Sequence, residues 1–212
     1  MRLLSSLFLL MICLGCKKEN HPKIEIYLLK NRQICVDCLP YIESGEYYNA
    51  EVDVAGLLKR AGYDTILKQV VYAGEFKVKA SDLEKTPLIS DEEITYLNLK
   101  SKEDKIVISP LAAKRIYKMY PENSYGNQFA ITIDGKPVFT GYFWSYMSRY
   151  WCDWYQICVP HPDDNIRNDG KNKELSIYLG IRDGRRHDIK LDSLSYPEEL
   201  IKAFRFSNRL IE

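Results

Sequence analysis

An α+β fold, with a mainly antiparallel sheet and a few short packing helices, is predicted by three observations. Apolar residues alternate at period two in several short runs; Asp134-Gly135 stands between two such runs as a hairpin corner; and serine-led capping patterns at Ser90 and Ser109 open brief helices between strands. Hairpin corners of that kind join antiparallel neighbours. The 212 residues, 46% hydrophobic and 28% charged, provide enough apolar material for one ordinary domain, placed here at residues 23–212.

Taken in order, residues 23–29 alternate as a strand, with Ile24, Ile26 and Leu28 on one face. A loop carrying Cys35 and Cys38 follows, and Leu57 and Leu58 ahead of a Gly62 stop signal predict a short helix over 54–61. Residues 65–78 are β-rich, with a bulge or turn at Ala73-Gly74. Ser90-Asp91-Glu92-Glu93 has capping-box spacing, in which a serine oxygen and a glutamate satisfy backbone donors at a helix start. Residues 94–99 and 106–108 then pair across a turn at 101–104. Ser109-Pro110 caps and starts a helix that buries Leu111, Ala112, Ile116 and Met119 or Tyr120. Residues 128–133 and 138–144 form the hairpin around Asp134-Gly135, because an Asp-Gly corner supplies positive φ angles. Strands over 154–159, 175–179 and 189–191 follow, separated by a polar loop at 161–173. A helix from about Pro197 ends the chain, with Ser195 to Glu198 repeating the capping-box spacing.

The first residues are Met-Arg and an apolar stretch from Leu3 to Leu14, closed by Cys13-Leu14-Gly15-Cys16 and then Lys17-Lys18-Glu19-Asn20. That layout is a secretory leader, since a membrane-spanning helix needs roughly 20 apolar residues. Its end resembles the lipobox of bacterial lipoproteins, in which small residues precede a cysteine. The resemblance implies cleavage before Cys16, attachment of diacylglycerol to the Cys16 thiol, a leader at 1–15 and a lipidated tether at 16–22. Several acyl chains at about 0.8 kcal/mol per buried methylene give durable anchoring. Cell-envelope placement follows, with the outer membrane expected because Lys17 and Lys18 form no aspartate retention signal; either face of that membrane fits. Without Arg2, the remaining chain carries 29 basic and 29 acidic residues, so bulk electrostatics give no support to nucleic-acid binding.

Pro87-Leu88-Ile89-Ser90-Asp91-Glu92-Glu93-Ile94, then Ile106-Val107-Ile108-Ser109, Ala112-Ala113-Lys114-Arg115-Ile116 and Phe129-Ala130-Ile131-Thr132-Ile133-Asp134-Gly135-Lys136-Pro137-Val138 follow one another in a familiar order. Residues 87–144 resemble the head subdomain of the first periplasmic domain of SecD, an export accessory protein. The shared motifs are caps, turns and apolar strands, so the resemblance implies an α+β fold. It does not extend to the membrane part that translocation needs. Thr140-Gly141-Tyr142-Phe143-Trp144 with Cys152-Asp153-Trp154-Tyr155 is similar to uncharacterised lipoproteins of Bacteroidota, which implies a compartment without a reaction.

Cys35, Cys38, Cys152 and Cys158 are candidate disulfide partners in an oxidising envelope, with three possible pairings. On one strand, Cys152 and Cys158 would stand about 20 Å apart at about 3.3 Å per residue, beyond the roughly 7 Å limit for a bridge. Cross-links from Cys35 and Cys38 to that segment and a local Cys35–Cys38 bridge both remain. Cys35-Val36-Asp37-Cys38 also has redox-motif spacing, but Arg32-Gln33-Ile34 and Leu39-Pro40 do not reproduce thioredoxin surroundings. Cys-x5-Cys is not usual zinc spacing. His21, His161 and His187 fall in the tether and polar loops, so no catalytic pair, metal site or cofactor is nominated.

Eight aromatics crowd the 14 residues from Tyr142 to Tyr155. Core packing explains most of such a block, while Tyr146, Tyr150 and Trp151, next to Ser145, Ser148 and Arg149, are the candidates for an exposed binding surface. The expectation is a membrane-anchored envelope lipoprotein acting as a non-catalytic binding or assembly module for an envelope protein partner. The alternatives are a thiol–disulfide factor using Cys35 and Cys38, or an inhibitor or immunity lipoprotein.

Overall fold

Short apolar runs at period two fold as strands, and the strands dominate the architecture. The structure is a computed structural model that describes residues 21–45, 60–66, 68–101, 104–119, 125–145, 148, 150, 152–159, 170–180 and 196–212. Along the chain the strands are β1 (Ile24–Leu28), β2 (Cys38–Pro40), β3 (Gly62–Asp64), β4 (Gln69–Val71), β5 (Ile94–Asn98), β6 (Asp104–Ile108), β7 (Asn127–Ile133), β8 (Lys136–Ser145), β9 (Tyr155–Val159), β10 (Lys173–Leu179) and β11 (Leu210–Ile211). The helices are α1 (Pro110–Met119) and α2 (Glu198–Phe206). The fold is α+β, as the alternation predicts.

One curled sheet has eight strands in the order β1-β7-β8-β9-β10-β6-β5-β11, and a second has β2-β3-β4. Pairing is antiparallel except for β8 with β9 and β5 with β11. The β7–β8 corner forms as expected: Asp134 and Gly135 take φ of 50° and 77°, the left-handed region a two-residue hairpin turn requires. At the free edge of β1, Ile26 N–H donates to the Ile89 carbonyl at 2.9 Å and Ile89 N–H returns to the Ile26 carbonyl at 3.1 Å. Ile89 lies just ahead of β5, which is next to last at the far end of the sheet, so this stretch links the two ends of the curl.

The core fills the curl. Ile24, Ile26, Ile106, Ile108, Phe129 and Phe143 are fully buried, α1 adds Ala112, Ala113 and Ile116, and α2 adds Leu200, Ala203 and Phe204. Burying each large side chain contributes roughly 1.5–3 kcal/mol. On β8 the period of two splits the aromatic block: Phe139 and Phe143 enter this core, whereas Tyr142 and Trp144 turn to the other face and pack with Ala73, Phe76 and Cys152.

Several expectations need correction. Leu111 is 68% exposed, because the α1 stripe that meets the sheet is Ala112, Ala113 and Ile116. The capping box at Ser90 forms, with Ser90 N–H donating to Glu93 Oε2 at 3.0 Å, but it opens a single 3₁₀ turn, Asp91–Glu93. Ser195, the first residue of the box expected from Ser195 to Glu198, lies outside the described residues; Pro197 is the residue before α2, and Glu198 takes the first helical position. Among the described residues of the β-rich stretch 65–78, only Gln69–Val71 pairs as a strand. Gly62 begins β3 instead of merely stopping a helix, and most of the helix expected over 54–61 lies outside the described residues, as do the strand at 189–191 and most of the polar loop at 161–173.

Candidate functional site

The outer face of β8 gathers the residues with chemical potential. Tyr142 is 1% exposed, and burial pushes its phenol well above the usual tyrosine range, with the nearby Arg32 charge opposing. Its hydroxyl donates to the Gly74 carbonyl at 2.9 Å and accepts from Gln128 Nε2 at 3.1 Å, so the buried oxygen is satisfied in both roles. The Arg32 guanidinium lies over this ring, 5.4 Å from its centroid. Three backbone carbonyls hold it there: Nη1 donates to Gly126 at 2.9 Å, and Nη2 donates to Tyr72 at 2.8 Å and to Tyr125 at 2.9 Å. Burial lowers the Arg32 pKa, and the Arg60 charge adds to that.

Tyr72 and Tyr125, whose carbonyls hold this arginine, stack with Tyr150. Their ring centroids stand 5.5 Å (72 to 125), 4.4 Å (72 to 150) and 4.8 Å (125 to 150) apart. Tyr150, expected as a surface anchor, is therefore a half-buried member of an aromatic stack. Its expected companions Tyr146 and Trp151 lie outside the described residues, as does Cys16. The stack was not legible in the sequence, because its three tyrosines come from separate segments; Arg32 close to an apolar strand was the available signal.

Cys35 and Cys38 are joined as a disulfide, with Cα atoms 5.3 Å apart. Of the alternatives left open, the local Cys35–Cys38 bridge is the one that forms, and Cys152 and Cys158 stand outside it. Cys152 is buried against Ala73, Tyr142 and Trp144, and burial pushes its thiol far above the usual range. The bridge sits where the chain enters β2, with Val36 N–H donating to the Glu75 carbonyl at 2.7 Å. Gly62 and Gly74 make room for it: a Cβ on Gly62 would stand 2.6 Å from Cys38 Cβ, and one on Gly74 would stand 3.0 Å from Cys35 Cβ.

Two cavities flank these features. One of about 190 Å³ runs beside the bridge and is lined by Asp37, Asp64, Glu75 and Asp153 among others. Carboxylates there disfavour a thiolate, and Cys38 opens a strand rather than a helix whose N-terminal dipole would favour one. The other, of about 390 Å³, is lined by Leu28, Leu29 and Met119 on apolar sides and by Arg32, Arg60 and Gln128 on polar ones. Among the described residues, no group of three or more His, Cys, Asp or Glu is placed to hold a metal ion, and no helix is long and apolar enough to cross a membrane. Compared with protein-family models, curated proteins and solved structures, the chain finds no match.

Proposed function

We propose that this chain is a membrane-anchored envelope lipoprotein whose folded part is a non-catalytic binding or assembly module. The observation that supports this reading best is the packing of the Cys35–Cys38 bridge. It is wedged between Gly62 and Gly74 beside acidic side chains, which suits a staple for the β2-β3-β4 flap and not an attacking thiolate. The flap and the half-buried Tyr72 and Tyr150 beside it, held by the buried Arg32 platform, offer a preorganised patch of the kind on which aromatic residues anchor partners. Cys16 supplies the lipid, and the outer membrane is the proposed location. Residues 87–144 are further proposed to keep the SecD-head arrangement; in its support, a capped turn, the β5–β6 hairpin, α1 and the β7–β8 hairpin follow in the same order.

The test uses the cysteines. A Cys35→Ser/Cys38→Ser double variant loses about 2 kcal/mol of stability on the loop-entropy argument, and the wild-type protein does not reduce insulin. An intact thermal midpoint in the variant, together with insulin reduction by the wild type that the variant lacks, makes the chain a thiol–disulfide factor instead. Cys16→Ser releases the protein from the membrane fraction or blocks its processing; unchanged anchoring overturns the lipoprotein reading. Cross-linking in the native envelope identifies the partner, and a toxin or a target enzyme captured there supports the inhibitor or immunity alternative.

A further inference from the structure

The described arginines divide into two groups. Arg115, Arg205 and Arg209 each meet a carboxylate, of Glu93, Glu212 and Asp91 respectively. Arg32 and Arg60 meet none among the described residues, yet both line the same 390 Å³ cavity. Backbone carbonyls fix the Arg32 guanidinium but carry only partial charge, so no described carboxylate compensates its unit charge, and Arg60 repels it further. Burial of charge without a counterion is costly, and two like charges facing one cavity raise that cost. Bringing an anion into the cavity removes it.

The remaining walls select the rest of the ligand. Leu28, Leu29 and Met119 give the cavity an apolar side, and Gln128 is already engaged with Gln33 and Tyr142. The volume falls within the range of small-molecule sites, about 300–1,000 Å³. We infer that the cavity between Arg32 and Arg60 binds a small amphiphilic anion, a carboxylate carried on an apolar body, with the carboxylate between the guanidiniums and the body against Leu28, Leu29 and Met119. This deepens the binding-module reading by naming a ligand class. It uses none of the lipid-anchor argument.

Calorimetric titration of the full-length protein with decanoate, decanol and inorganic phosphate tests the inference. Decanoate binds saturably at one site, and decanol and phosphate each bind at least about tenfold more weakly, since one lacks the charge and the other the apolar body. Arg60→Gln weakens decanoate about tenfold without lowering the thermal midpoint of the ligand-free protein, because Arg60 is exposed and its charge repels Arg32, and Arg60→Lys recovers most of the lost affinity. Raising the salt concentration weakens decanoate but not decanol in the unaltered protein, a readout that needs no variant. Equal affinity for decanoate and decanol, phosphate binding as tightly as decanoate, absence of saturable decanoate binding, or an unchanged Arg60→Gln titration each overturns the inference. None of these bears on the envelope cross-linking result, so the pocket and the module fail separately.

Discussion

Asp91 and Arg209 form an ion pair at 2.6 Å that fastens the two ends of the curled sheet. Asp91 Oδ1 also accepts from Ile24 N–H, the first residue of β1, at 2.8 Å, while Arg209 stands immediately before β11. Arg209 Nη1 donates in addition to the Asp91 carbonyl at 2.9 Å. Both side chains are mostly shielded, at 24% and 16% exposure, so the pair is worth more than an ordinary surface contact. Asp91→Ala is expected to cost about 2–3 kcal/mol, since it removes the carboxylate that both the Arg209 guanidinium and the Ile24 amide use. Urea unfolding measures that loss, and a double-mutant cycle with Arg209→Ala gives a coupling of at least about 0.5 kcal/mol. Additive single losses contradict the fastening role.

Gly62 is expected to resist any side chain. A Cβ there would meet Cys38 Cβ at 2.6 Å and Cys35 Sγ at 3.0 Å. Gly62→Ala overpacks a small flap and costs about 1–3 kcal/mol. Reducing the bridge frees Cys35 and Cys38 to move apart, so the same substitution costs less under dithiothreitol. Equal losses with and without reductant would show that the clash lies elsewhere.

The contrast between these two positions marks what the sequence carries. Ser90 to Glu93 was legible because a capping box is a local pattern, and the turn it opens delivers Asp91 to its partners. Asp134-Gly135 was legible for the same reason. Arg209 was not, since its partner is 118 residues away and only the curl of the sheet brings them together. Strands β2, β3 and β11 have two or three residues each, too short for a period to show. The cysteines were legible as bridge candidates, but the pairing depended on geometry. Leu111 misled because an apolar residue in the first turn of a helix fits the stripe whether or not the neighbouring strand reaches it.

Tyr142→Phe separates the ring of this residue from its hydroxyl. The ring stays under Arg32 and against Phe76, 5.1 Å from its centroid, while the Gly74 carbonyl and Gln128 Nε2 each lose a buried partner. The expected cost is about 1–2 kcal/mol. Because the cation–π platform survives, decanoate affinity changes less than threefold. A variant as stable as the parent would mean that water replaces the hydroxyl.

Asp104 sets a pH dependence of opposite sign to that of the surface ion pairs. It is 2% exposed, and burial raises its pKa from 3.8 to about 7, with the Tyr196 hydroxyl, which donates to Oδ2 at 3.3 Å, opposing. Its other oxygen, Oδ1, has no hydrogen-bond partner among the described residues. In the unfolded chain the carboxyl titrates near 3.9. Between about pH 4 and pH 7 the native state therefore holds a proton that the unfolded state has lost, and stability falls as pH rises through that window, levelling above it. The full effect is at most about 4 kcal/mol. Glu93, Glu198 and Glu212, whose pKa values are lowered, work the other way at lower pH, and they do so equally in wild type and variant. Asp104→Asn cannot ionise, so it is expected to gain stability over the wild type progressively from pH 5 to pH 8. Unfolding free energies of the two proteins across that range check this, and parallel profiles would place the Asp104 carboxyl at its ordinary pKa.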